Sequence, residues 1–137
     1  MEFQLGVGVD IESISRFRNL IKAKDSGFLN KIYTLYELDY IYEAKNTVQL
    51  LAQYFCAKEA IIKSLTTFNP EAIHRTNINI ECKKSGAYLV KLHEYDQNNF
   101  VQLSTSYSEH KAIAFAIAVE KNFQSMLKLG EENKNVI

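Results

Sequence analysis

The chain has 137 residues, enough for one domain with a real core and too few for two. Sixteen acidic residues balance sixteen basic ones, 47% of the residues are apolar with eight Phe and eight Tyr, and one Pro with five Gly excludes a low-complexity protein. The cancelled charge gives no overall reason to expect a nucleic-acid or membrane partner, so every charge argument is local.

Phe3, Leu5, Val7 and Val9 alternate with Gln4, Gly6, Gly8 and Asp10, which predicts a strand with one apolar face and one nearly bare face, ended by Asp10. It lacks the charged segment and apolar run of a signal peptide, and no stretch of the chain reaches membrane-spanning length. The two glycines leave room for something to approach the backbone, or mark close packing. From Ile11 the period becomes helical, with Ile14, Phe17 and Ile21 in one stripe and Asp10 or Ser13 as cap. Asp10 therefore has a plain role as an N-cap, and Glu12 as an acid suited to a first helical turn. Arg16, Arg18, Lys22 and Lys24 make this the basic element of a neutral chain, either a solvated face or a dock for an acidic partner.

After Ser26-Gly27, Phe28 to Ile32 reads as a short helical turn. Thr34 to Glu37, TLYE, is a capping box opening a helix to about Ala44, with Phe28, Ile32, Leu35, Leu38 and Ile41 as core candidates. A long helix is predicted from Asn46 to Thr66, with Asn46 and Gln49 as a capping-box start. Leu50, Leu51, Tyr54, Phe55, Ala57, Ile61, Ile62 and Leu65 form one broad arc toward a core. Lys58 falls inside that arc, so its stem must snorkel outward or its ammonium must meet a carboxylate. Glu59 and Lys63 stand one turn apart on the edge, where the ordinary reading is a solvated i,i+4 pair.

Beyond Thr66 the pattern is β. Asn69-Pro70 marks a turn, Ile78, Ile80 and Cys82 alternate with polar residues, and Ser85-Gly86 signals a hairpin into Ala87 to Leu92. Asp96 to Asn99 is another turn. Val101, Leu103 and Thr105 then alternate with Gln102, Ser104 and Ser106, so the two serine hydroxyls share a face. Ala112 to Val119 alternates small and large residues, a strand whose Ala face packs tightly against a helix or another subunit. Neither Cys56 nor Cys82 belongs to a CxxC pair, which argues against zinc or a disulfide framework and fits a reducing cytoplasm. The expected architecture is a single α+β domain over residues 1–127, an antiparallel sheet packed with a long central helix, and a polar, loose tail from Lys128.

Three features stand above this background: Asp10 at the end of a Gly-lined strand, Glu59 between Lys58 and Lys63, and the hydroxyl cluster Ser104, Ser106, Tyr107 and Ser108. Carboxylates without dedicated Cys or His partners suit a hard cation such as Mg²⁺, which keeps waters and takes one or two protein carboxylates plus substrate phosphates. A neighbouring Lys and nearby hydroxyls suit phosphate oxygens. Together they point to phosphoryl-type transfer.

At these residues the chain resembles a known family. GVGVDIESISRF, FLNKIYTLYEL, LAQYFCAKEAIIKSL and LSTSYSEHKAIAFAIA, in that order, resemble the small 4′-phosphopantetheinyl transferases, the holo-acyl-carrier-protein synthases, over roughly Gly6 to Glu120. The strongest blocks are the G-x-D-x-E of Gly8, Asp10 and Glu12 and the KEAxxK of Lys58 to Lys63. The resemblance implies Mg²⁺-dependent transfer of the phosphopantetheine arm of coenzyme A to a serine of an acyl carrier protein, releasing 3′,5′-ADP. It implies that Asp10 and Glu59 hold the metal with Glu12 in support, that Glu59 is the base for the serine proton, and that Lys63 neutralises the pyrophosphate. It assigns coenzyme contacts to Lys63, Ser64, Gly86, Ser106, Tyr107 and Ser108, and carrier docking to Arg16, Arg18 and Lys22. A cytoplasmic homotrimer with the coenzyme site between subunits is the implied assembly, in fatty-acid biosynthesis or serving a dedicated carrier.

Four positions depart from the family pattern. Tyr54 stands in place of a frequent Arg, Tyr107 in place of a His, Ala87 follows Gly86 where a Pro is usual, and Lys31 replaces a frequent Arg. Set against the family pattern, these departures imply retained metal chemistry and altered coenzyme or carrier recognition. The rival readings are a non-catalytic relative that binds a carrier protein or another partner, and an unrelated α+β binding domain.

Overall fold

The computed structural model describes residues 4–22, 26–69, 71, 73–93 and 99–120. Lys24, Pro70, most of the Asp96 to Asn99 turn and the tail from Lys128 lie outside these. In chain order the elements are β1 (Leu5–Ser13), α1 (Ile14–Lys22), α2 (Ser26–Ile32), α3 (Leu35–Glu43), α4 (Thr47–Leu65), a 3-10 turn at Arg75–Asn77, β2 (Ile78–Cys82), β3 (Tyr88–Leu92), β4 (Asn99–Tyr107) and β5 (Lys111–Glu120). The expected α+β class and the central helix are both present. The sheet is divided: β1, β5 and β4 form one antiparallel sheet in that order, and β2 pairs with β3 in a second.

Helix α4 lies across β1 and β5 and is buried almost all the way round. The single apolar arc read from the sequence undercounts it, because Ala52, Gln53, Cys56, Ala60 and Ser64 are covered as well. A smooth sheet surface makes this possible. On the sheet side, Gly6, Gly8, Ala112, Ala114, Ala116 and Ala118 form one face, and the four alanines have no exposed surface. A Cβ on Gly6 would stand 1.8 Å from the Ser64 carbonyl oxygen, and one on Gly8 2.0 Å from that of Ala60. The glycines thus admit the helix backbone itself, and the Ala face of β5 meets α4, not another subunit.

That contact decides the reading of the β1 glycines in favour of close packing. The bare face of β1 is the buried one, while Leu5, Val7, Val9 and Ile11 are exposed. The strand also runs on through Ile11 to Ser13, where the sequence suggested helix, because pairing with β5 continues to Ser13 opposite Lys111. Asp10 and Glu12 are consequently strand residues and neither caps nor opens a helix. The first amide of α1 donates instead to the His110 carbonyl, Ile14 N to O 2.9 Å.

Local rules hold well for α3 and poorly for the start of α4. Thr34 and Glu37 form the expected reciprocal capping box, whereas Asn46 makes no side-chain cap bond. Leu35 is not a core residue: 76% exposed, it follows the cap on the outer side of a helix whose buried residues are Glu37 and Ile41. Gly86 has φ 88° in the β2–β3 turn, the left-handed region expected of a hairpin glycine. No helix among the described residues is long and apolar enough to cross a membrane.

Candidate active site

Gly6, Gly8, Asp10 and Glu12 alternate along β1 toward α4, so the close approach at the glycines carries the two carboxylates to the helix. Gly8 also leaves space for Lys63, whose Cβ would be 2.9 Å from a Cβ at that position. The Lys63 ammonium crosses to the end of this run, donating to the Val9 carbonyl at 2.9 Å and lying 3.4 Å from Asp10 Oδ1. The other Asp10 oxygen, Oδ2, is buried with no N–H or O–H donor among the described residues, the weakly donating Cys56 thiol being the polar group beside Asp10. Cys56 marks the same spot from the helix: burial, then the Asp10 and Glu12 charges, push its thiol up to about 12.

Glu59 lies one turn before Lys63 on α4 but is not bonded to it. Its Oε1 accepts from Arg75 Nε at 2.5 Å, so the expected solvated Glu59–Lys63 pair is replaced by two pairs to other elements. Glu12 accepts from Arg16 at 3.1 Å, and the Arg16 guanidinium lies over the Phe17 and Phe55 rings at 5.7 and 5.2 Å. Arg75 packs on Phe55 as well, 5.7 Å from its centroid. Each of the three acidic candidates therefore has its own basic partner: Asp10 with Lys63, Glu12 with Arg16, Glu59 with Arg75.

Beneath them Lys58 resolves its position in the apolar arc by meeting a carboxylate. It pairs with Glu37 and also donates to the carbonyls of Ile32, Arg75 and Ile78 at 2.8, 2.9 and 2.8 Å. Burial pushes its ammonium below the ordinary lysine range, and the Glu37 charge opposes that shift. Glu37 does double duty, because the capping-box carboxylate also accepts the Ile80 amide at 2.8 Å. Lys58 is thus a structural clamp joining the end of α2, the start of α3, the 3-10 turn and β2 to α4.

The hydroxyl cluster is split. In register, Ser104 faces Phe115 and Ser106 faces Ile113, which places both serines on the exposed side of the sheet, away from α4. Tyr107 opposes Ala112, itself opposite Glu12, and so belongs to the carboxylate side. Tyr107 and Ser108 border an open cleft of about 400 Å³ whose wall also includes Arg18, Lys45, Thr47 and Gln49. Ser64 is buried, its hydroxyl donated to Ile61 O at 2.7 Å, and Gly86 stands in open space at the hairpin turn. Arg18 is exposed on α1, which also carries Lys22 at its end.

Tyr54, the most visible departure in the long helix, is 2% exposed and sits between Tyr40, stacked at 6.1 Å, and Tyr88, edge-on at 6.4 Å. Its hydroxyl finds no partner among the described residues, and burial holds it far above the ordinary tyrosine range. Sequence reasoning missed three participants: Arg75, Glu37 as partner of Lys58, and Lys45. Only Glu37 had a local signal, the capping box that already accounted for it.

Asp10 with its free buried oxygen, and Glu59 across the helix face, are hard oxygen donors of the kind Mg²⁺ takes in ones and twos. No group of three or more His, Cys, Asp or Glu that would hold a metal by itself occurs among the described residues. The donor set fits a cation shared with substrate phosphates and does not form an all-protein cage.

A family model described as the 4′-phosphopantetheinyl transferase superfamily matches residues 6–118. The holo-[acyl-carrier-protein] synthase of Halothermothrix orenii is 32% identical over 127 residues, covering 93% of this chain and 97% of that protein. That of Clostridium acetobutylicum is 36% identical over 120 residues, covering 82% and 94%. Among solved structures, the Neisseria meningitidis holo-[acyl-carrier-protein] synthase superposes with a TM-score of 0.70 at 30% identity, covering 82% of this chain and 96% of that one. The Helicobacter pylori enzyme, solved in complex with coenzyme A, gives 0.68 at 26% identity, covering 82% and 98%.

Proposed function

Because the chain belongs to the 4′-phosphopantetheinyl transferase superfamily, we propose that it transfers the 4′-phosphopantetheine arm of coenzyme A to a serine hydroxyl of an apo acyl carrier protein and releases 3′,5′-ADP. The observation that carries the reading to these residues is the junction of β1 and α4, where Lys63 reaches past Gly8 to Asp10 while Asp10 keeps one buried oxygen unpartnered. A buried, unsatisfied carboxylate oxygen is costly unless a ligand completes it.

In this reading Asp10 and Glu59, with Glu12 in support, hold Mg²⁺, which when bound neutralises charge on the coenzyme pyrophosphate. Lys63, fixed by the Val9 carbonyl, adds a positive charge beside the bond that breaks and stabilises the departing 3′,5′-ADP. The carrier serine oxygen forms a bond to the phosphorus bearing the pantetheine arm, and the bond from that phosphorus to 3′,5′-ADP breaks. Glu59 takes the serine proton.

The cleft beside Ile14 is assigned to the nucleotide end of the coenzyme, because Lys45 and Arg18 offer charge and Tyr107, Ser108 and Gln49 offer hydrogen bonds around a volume of about 400 Å³. Arg16, Arg18 and Lys22 on α1 are assigned to the acidic carrier, with Arg16 held in place by Glu12 and two phenyl rings. The coenzyme candidates Ser106 and Tyr107 fall on opposite faces of one sheet, which suits a site completed by a second copy. The apolar face of Leu5, Val7, Val9, Ile11, Ile113 and Phe115 is the surface such a homotrimer would cover. Two free thiols, Cys56 and Cys82, suit a reducing compartment, and the cytoplasm is the assigned setting.

The deciding experiment is intact-mass spectrometry of apo acyl carrier proteins incubated with the protein, coenzyme A and Mg²⁺, with a metal-free control. A metal-dependent gain of one phosphopantetheine group is expected. No gain on several carriers, together with no coenzyme A binding by calorimetry, would overturn the assignment.

A further inference from the structure

The three ion pairs at the site differ in how firmly their basic member is held. Lys63 divides its ammonium between Val9 and Asp10, and Arg16 packs on Phe17 and Phe55 but reaches Glu12 from the neighbouring turn of chain with a side chain 50% exposed, against 39% for Arg75. Arg75 is anchored at both ends. Its carbonyl accepts from Lys58, inside the fully buried Lys58–Glu37 cluster, and its guanidinium packs on Phe55 while Nε holds Glu59 Oε1. Little conformational freedom remains to be lost when Arg75 grips Glu59, so this pair is populated more firmly than an ordinary surface pair. A dication approaching the same carboxylate meets a fixed positive charge within a few ångströms.

We propose that Arg75 is a positioning residue for Glu59 whose guanidinium is the counter-charge a divalent cation displaces, so that Arg75 makes cation binding depend on the coenzyme. The proposal rests on the assignment of Glu59 to the metal. With no coenzyme present, Arg75 competes for Glu59 and keeps the affinity for free cation low. The coenzyme pyrophosphate offers the displaced guanidinium a planar, hydrogen-bonded partner of the kind arginine favours. Cation and coenzyme then tighten one another, and by linkage the effect is reciprocal.

The test is Mn²⁺ binding, read from the electron paramagnetic resonance signal of the free ion, with and without coenzyme A. The proteins are wild type, Arg75→Gln, Arg75→Met, Arg75→Lys, Asp10→Asn and Glu59→Gln. Arg75→Met retains contact with Phe55 without charge, and Arg75→Lys retains charge without the fork. Arg75→Gln and Arg75→Met are expected to bind Mn²⁺ alone about tenfold more tightly than wild type, and the factor by which coenzyme A tightens Mn²⁺ is expected to fall by a similar amount. For Mn²⁺ alone Arg75→Lys should stay near wild type, a pattern that follows charge and that loss of packing would not produce, while its tightening by coenzyme A should fall between wild type and the neutral variants because the fork is lost. Mn²⁺ affinity unchanged or weakened in both neutral variants, while Asp10→Asn and Glu59→Gln still abolish binding, would overturn the role of Arg75 and leave the metal assignment standing. Mn²⁺ binding indifferent to Asp10→Asn and Glu59→Gln would overturn both.

Discussion

The ammonium of Lys58 and the carboxylate of Glu37 meet at 2.6 Å with neither side chain exposed to solvent. Every proton of the ammonium has a carbonyl or carboxylate partner, and both Glu37 oxygens accept backbone amides. Removing one member leaves the other buried without its counter-charge. Lys58→Met and Glu37→Leu should each destabilise the fold by about 3–5 kcal/mol, measured as the shift in urea midpoint. The double variant should cost clearly less than the sum of the two. Strict additivity would mean that the pair does not act as a unit.

Gly8 tests the close contact that aligns the site. A methyl group there points at the Ala60 carbonyl, which belongs to the helix backbone and has little freedom to move away. Gly8→Ala should lower stability by roughly 1–3 kcal/mol or more by overpacking, and should lower transfer beyond what the unfolded fraction explains, because Asp10 moves with the strand. Thermal melting and single-turnover transfer on the same sample separate the two effects. Gly86→Ala meets nothing within 4 Å, and its cost comes only from φ.

Tyr54 carries a buried hydroxyl that stabilises nothing visible. Tyr54→Phe keeps the ring between Tyr40 and Tyr88 and removes an unsatisfied polar group, so the variant should match or exceed wild type, by up to about 1 kcal/mol. Chemical denaturation measures this directly. A loss of more than that would reveal an undetected partner for the hydroxyl.

Alkaline pH should expose Cys56. Its thiol is raised from an ordinary 9.0 to about 12 in the folded state, burial being the first cause and the Asp10 charge the second. The unfolded chain therefore loses this proton first. The stabilisation is complete below pH 9 and is lost as pH rises toward about 12. Cys56→Ala should flatten that part of the stability curve relative to wild type, whatever it does to stability at neutral pH. Tyr33 and Tyr54, also raised mainly by burial, will leave a residual slope.

Glu59→Gln removes a charge at nearly constant shape and retains an oxygen for Arg75. Phosphopantetheine transfer, followed by carrier mass, should fall at least about 10²-fold while the melting temperature barely moves. Undiminished turnover would remove Glu59 from the chemistry.

Where partners lie close in the chain, the sequence could be read directly. Thr34 and Glu37 announced α3, the Ser85-Gly86 turn announced its hairpin, and the alternation of Ala112 to Val119 announced β5. Long-range geometry was less accessible. On β1 the two glycines signalled close approach to the backbone or close packing, and what does the approaching, the backbone of α4 within a glycine's width, is a long-range fact. Asp10 read as the last residue of β1, with a helix cap as its plain alternative, and it is a strand residue facing Lys63 because the strand runs on to Ser13. Arg75 had no signal at all, since its partner is sixteen residues away across a turn. Glu59 and Lys63 are one helical turn apart, yet tertiary partners on the 3-10 turn and β1 outcompete the short-range pair.

The alternation along β1 has a consequence for how damage to this strand would show itself. Gly6 and Gly8 serve the chain's own folding, so a change there is felt at any dilution. Leu5, Val7, Val9 and Ile11 face outward, and if a second copy covers them, a change there is felt only relative to how much protein is present. Neighbouring codons of one nine-residue strand would then obey different laws, one indifferent to concentration and the other governed by it.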